Sequence, residues 1–222
     1  LHEYKNVKIA ILYYEDRREW CLRKISYELL TLPLPFVLWF ITFKIPIIGF
    51  WLTITVSTSI LLITSIPRWG EIDFKFSLKD VTIGLLSGIF LYAFFWSGFQ
   101  IAKSIPGFTQ TISSVYALRG EAPLIQIAEV LLFPISPAEE LYWRGLIQRY
   151  LVRVIQPSRG LIVTSILYSV IHLPTLNPSL MLVALIAGLV WGYLFNRLGK
   201  IIPVIVSHIV FNEMVFVLLV IS

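Results

Sequence analysis

A single cysteine, Cys21, stands in 222 residues. That excludes an intramolecular disulfide and any cysteine-built metal cluster. Charge is scarce as well: Asp, Glu, Lys and Arg make up 14% of the chain, against roughly 25% in an ordinary soluble domain. The sequence contains neither a Gly-rich phosphate loop nor an HExxH helix, two signatures of nucleotide binding and zinc proteolysis. No internal repeat or low-complexity tract marks it as an array or a linker. The charged run YEDRREW, residues 14–20, does not read as a cleavable signal peptide.

What the chain has instead is apolar surface. Hydrophobic residues make up 57% of it, which reads as an all-α, polytopic integral membrane protein. The formal net charge is +5, but the basic residues are scattered between apolar runs instead of gathered on one face or tail. A nucleic-acid partner is therefore not expected. The expected partner is membrane lipid.

Crossing a hydrocarbon core of roughly 30 Å takes about 20 helical residues. Seven segments qualify: 26–43, 45–66, 81–102, 124–150, 157–173, 179–195 and 201–220. An eighth would have to lie within residues 1–24, where ten charged residues favour an interfacial helix. The whole of 1–222 reads as one transmembrane domain. With the amino end in the cytoplasm, the inner segments hold Lys5, Lys8, Arg17, Arg18, Arg23, Lys24, Arg68, Lys75, Lys79, Arg149, Arg153, Arg159, Arg197 and Lys200. The outer ones hold only Lys44, Lys103 and Arg119. The bias of 14 to 3 favours that orientation.

Polar residues interrupt three of the apolar segments. SPAEELYWRG, residues 136–145, places Glu139, Glu140 and Arg144 in the fourth; His172 lies in the fifth, and His208 with Asn212 in the seventh. At about 1.5 Å per residue, the glutamates lie about 15 Å from Arg149, His208 about 12 Å from Lys200 and His172 about 20 Å from Arg159. Three helices thus put acids and imidazoles in one layer, predicting a polar cavity open to the cytoplasmic side. Ionisable groups at membrane depth are costly and usually functional. Glu140 faces Arg144 four residues on, Tyr168 lies over His172, and His208 aligns with Asn212. Glu139 is turned about 100° from Glu140, leaving one carboxylate free as a general base.

Plainer readings exist. Ser136-Pro137-Ala138-Glu139 matches a capping box at a helix broken by Pro134 and Pro137. Glu140 with Arg144 is also a reasonable structural ion pair. Asn177, between Pro174 and Pro178, reads as a turn former. Gly188 and Gly192 form a GxxxG of close helix packing, and Trp143 and Trp191 read as packing residues.

The three polar sets, in this order, resemble the CAAX prenyl protease and bacteriocin-processing (CPBP, also Abi) family of intramembrane proteases. Glu139, Glu140 and Arg144 match its EExxxR motif, His172 its FxxxH motif with Tyr168 in the phenylalanine place, and His208 with Asn212 its HxxxN motif. The resemblance covers residues 124–220, the expected catalytic core. It implies a peptidase in which Glu139 and His172 activate water, His208 and Asn212 stabilise the oxyanion, and Glu140 and Arg144 fix the first pair. A zinc ion on the histidines and a glutamate, and a metal-free glutamate mechanism, are both compatible with these residues; Asn212, an unusual zinc ligand, suits the second. The substrate implied is a membrane-anchored peptide such as a prenylated CAAX-like tail. A non-catalytic binding or bacteriocin-immunity protein and a proton-coupled transporter are the alternatives, the latter lacking the paired broken helices usual in transporters.

Overall fold

The computed structural model describes residues 26–45 and 47–221. The expected interfacial segment 1–24 lies outside the described residues. Those described are helical throughout, apart from connecting turns and one isolated bridge between Asp73 and Lys200. A short helix α1 (Tyr27–Thr31) leads into α2 (Pro33–Lys44), and α3 (Phe50–Ser65) and α4 (Leu78–Ala102) follow. A shorter α5 (Phe108–Tyr116) precedes a broken helix made of α6 (Leu124–Val130), α7 (Ser136–Glu140) and α8 (Arg149–Ile155). The chain ends with α9 (Pro157–Val170), α10 (Pro178–Leu198) and α11 (Ile202–Glu213).

Local chemistry sets these boundaries. Ser77 accepts from the Asp80 amide and Asn177 from the Leu180 amide, each satisfying an orphan donor at a helix start. Proline opens α2, α9 and α10, where its missing N–H costs nothing. Gly199, at φ +66°, closes α10 in the left-handed region that glycine adopts freely.

Seven full spans were expected; among the described residues four helical stretches are long and apolar enough to cross a membrane: Tyr27–Lys44, Phe50–Glu71, Leu78–Ala102 and Pro178–Leu198. Ile202–Leu218 is a shorter apolar helix. Between Leu124 and Ile155 the expected span is interrupted. Phe133 has extended backbone angles before Pro134, and wide π-type turns run from Leu131 to Ile135 and from Leu141 to Gln148. Proline removes a helical donor and clashes with the preceding turn, and such breaks are tolerated at membrane depth where protein or a cavity covers them. The expected span 157–173 is a helix of 14 residues ending at Val170.

Two features position the site. α4 and α11 pack closely because Gly84 and Gly88 face the α11 backbone: an added Cβ would lie 2.7 Å from the Pro203 carbonyl oxygen or from that of Ser207. Ion pairs gather at one end of the helices. Arg68 meets Glu28 at 2.7 Å, Arg153 and Arg149 meet Glu71 at 2.8 and 3.4 Å, and Lys200 meets Asp80 at 2.8 Å. This is the end that the charge count assigns to the cytoplasm.

Candidate active site

Breaking the helix at Phe133 and Pro134 lets α7 carry Glu139 and Glu140 into the interior, with Arg144 one turn on. α9 delivers Tyr168 near its end and His172 just beyond it; α11 delivers His208 and Asn212. Glu140 and Arg144 are completely buried, and Glu139, His172 and His208 nearly so.

The six residues form two tiers. Behind lies a charge cluster: Glu140 Oε1 is 2.8 Å from His208 Nδ1, and Glu140 Oε2 is 3.2 Å from Arg144 Nε. Arg144 Nη2 donates to the Gly188 carbonyl at 3.4 Å, and its guanidinium lies over the rings of Tyr168 and Trp191 at 5.2 and 5.9 Å. These contacts offset the cost of a buried cation. In front, Glu139 Oε2 accepts from the Tyr168 hydroxyl at 2.6 Å, and His172 Nδ1 lies 3.0 Å from the Tyr168 carbonyl. Asn212 Nδ2 donates to Ser136 Oγ at 3.1 Å.

The front tier faces a cavity of about 410 Å³ lined by Glu139, His172, His208 and Asn212 together with a largely apolar wall. Glu140 and Arg144 are absent from that lining. The wall comes from the first turns of α3 (Phe50, Trp51), the last turns of α4 (Phe95, Phe99), α5 and the first half of α10. These are the helix halves away from the ion-paired end. The expected cytoplasmic opening is thus set against the charge count: these halves lie toward the end that the count assigns to the outside.

Two sequence readings change. Ser136 does not cap: its hydroxyl donates to the Leu131 carbonyl and accepts from Asn212, while Glu139 is bound by Tyr168. Asn177 is more than a turn former, since its Nδ2 also donates to the Thr111 carbonyl at 2.6 Å and so ties α5 to the start of α10. Sequence reasoning also missed residues at the site. Trp191, read as packing, stacks on His208 at 3.9 Å between ring centroids and donates from Nε1 to Ser207. Trp39 of α2 donates from Nε1 to His172 Nε2 at 3.3 Å. No spacing rule links residues so far apart in sequence.

The donor set does not fit a zinc ion. Among the described residues no three His, Cys, Asp or Glu side chains converge on a common metal position. His172 Nε2 is met by an indole N–H, and His208 Nδ1 by Glu140.

Residues 121–214 match the family model described as Type II CAAX prenyl endopeptidase Rce1-like. No curated protein and no solved structure gives a match. All three polar motifs fall inside the matched stretch, whose fold places them around one cavity. The matched stretch, under half of the chain, is similar to the Type II CAAX prenyl endopeptidase Rce1-like family, consistent with assignment to the CAAX prenyl protease and bacteriocin-processing group.

Proposed function

We propose that the protein is an intramembrane endopeptidase that hydrolyses a peptide bond of a membrane-anchored substrate, of the prenylated CAAX-like class. The observation that carries this reading is the two-tier arrangement: Glu139, His172, His208 and Asn212 face one largely apolar cavity while Glu140 and Arg144 stand behind it. The apolar wall suits a lipid-modified chain. The family match supports the reaction class.

Glu139 acts as general base. Its Oε2 is held by Tyr168, which leaves Oε1 to take a proton from water as the water oxygen bonds to the scissile carbonyl carbon. The carbonyl oxygen becomes an oxyanion. His208 and Asn212 are its donors. Because Glu140 accepts from His208 Nδ1, Nε2 donates to the oxyanion only when the ring is doubly protonated. Collapse of the intermediate breaks the C–N bond, and the proton held by Glu139 passes to the leaving amine.

The experiment is release of the last three residues of a farnesylated CAAX peptide by purified protein in lipid, for wild type, Glu139→Ala, His172→Ala and His208→Ala. Cleavage by wild type and its loss in each folded variant is the expected result. Normal cleavage by one variant removes that residue from the mechanism, and no cleavage by wild type rejects this substrate.

A further inference from the structure

Among the described residues outside 121–214, one helix brings a polar atom to His172. Trp39 on α2 is 1% exposed, and its indole N–H has His172 Nε2 as its acceptor at 3.3 Å. The two rings stand nearly perpendicular, at 81° with centroids 6.1 Å apart. On the other side of the imidazole, Nδ1 lies 3.0 Å from the Tyr168 carbonyl oxygen.

These two neighbours leave the imidazole one protonation pattern. A carbonyl oxygen only accepts, so Nδ1 carries the proton. An indole N–H only donates, so Nε2 carries the lone pair. Trp39 adds to the Tyr168 carbonyl a second constraint against protonation at Nε2, and without His172 the buried indole N–H would lose its partner. A length of 3.3 Å exceeds the usual 2.7–3.2 Å of an N–H bond to oxygen. It is a weak bond that a water O–H can replace.

We infer that Trp39 is a positioning residue of the active site: its indole N–H keeps His172 Nε2 an acceptor aimed at the cavity until the reacting water takes that place. The inference rests on the peptidase reading for its consequence and on the Trp39–His172 geometry for its substance. It makes α2 part of the working unit, although the family match begins 82 residues after Trp39.

The chain has three histidines, so the full-length protein labelled with ¹⁵N-histidine in detergent gives few ring-nitrogen signals, and His172→Gln assigns those of His172. Wild type is expected to show His172 protonated at Nδ1. In Trp39→Phe, which keeps an aromatic ring but lacks the donor, the Nε2 resonance moves toward that of an acceptor without a partner. With farnesylated peptide, the same variant loses about tenfold in kcat because His172 is less often held with Nε2 aimed at the cavity, at little change in KM. An Nε2-protonated His172 in wild type, or unmoved His172 resonances in Trp39→Phe, overturns the inference. So does a faster Trp39→Phe enzyme, whose indole would then be an obstruction. The nitrogen spectra decide the matter even if wild type cleaves nothing, an outcome that instead counts against the peptidase reading.

Discussion

The Tyr168 hydroxyl donates to Glu139 Oε2 across 2.6 Å, and both groups are buried. This tyrosine occupies the place where the family pattern has phenylalanine, so the departure puts a donor directly on the proposed base. Tyr168→Phe restores the pattern and deletes one charge-assisted hydrogen bond, worth about 1.5–3 kcal/mol. The expected outcome is an unchanged fold and a kcat lower by at least about tenfold, measured on the farnesylated peptide. A wild-type rate would show that Glu139 is held in place without the phenol.

Removing one member of the rear tier strands the others in the interior. Arg144→Met leaves Glu140 facing His208 alone, and breaking a buried pair costs about 3–5 kcal/mol. The double change Glu140→Leu with Arg144→Met removes both charges, so its loss of stability should be smaller than the sum of the single losses. Chemical denaturation in a fixed detergent measures all three, and strict additivity would deny the coupling.

Gly88 tests the contact that places His208. A Cβ there would lie 2.7 Å from the backbone oxygen of Ser207, the neighbour of His208. Backbone cannot step aside as a flexible side chain does. Gly88→Ala should cost about 1–3 kcal/mol through overpacking and lower kcat beyond what the loss of folded protein explains. Gly70, with nothing within 4 Å of its added Cβ and no part in the cavity lining, is the control, and Gly70→Ala should retain the wild-type rate.

Sidedness separates the two expectations that the cavity lining sets against each other. In a Cys21→Ser background, cysteines replacing Arg153 and Ser104 mark the ion-paired end and the opposite end. The charge count predicts that an impermeant thiol reagent added to intact cells modifies Ser104→Cys and spares Arg153→Cys. The reverse labelling would place the cavity on the cytoplasmic side and overrule the charge count.

The sequence allowed the site to be read further than the fold. Glu139, Glu140, Arg144, His172, His208 and Asn212 are conspicuous because ionisable groups in apolar segments have few innocent explanations, and four of them face one cavity. The helix count was less legible. Hydropathy sums over a window and is blind to the extended backbone at Phe133, where Pro134 marked the place but not the extent of the break. The Ser136 motif misled for a related reason: the serine lies inside a distorted helical path and binds the Leu131 carbonyl, so the local pattern of a cap was overridden by tertiary partners. Trp39 was out of reach altogether, since its relation to His172 exists only once α2 packs beside the end of α9.

The pairs His208–Glu140 and Asn212–Ser136 have a joint consequence. Each step of four residues along α11 meets a step of four in the opposite direction along α7, so the two contacts are successive rungs between antiparallel helices. A slide of one helical turn, about 5.4 Å, would carry both partners past their mates together and leave a buried carboxylate facing no imidazole. Small displacements gain nothing to offset that loss. The alignment is therefore two-valued: α11 is either in step with α7, with His208 and Asn212 beside Glu139, or out of step, with both carried away from a carboxylate that Tyr168 still holds.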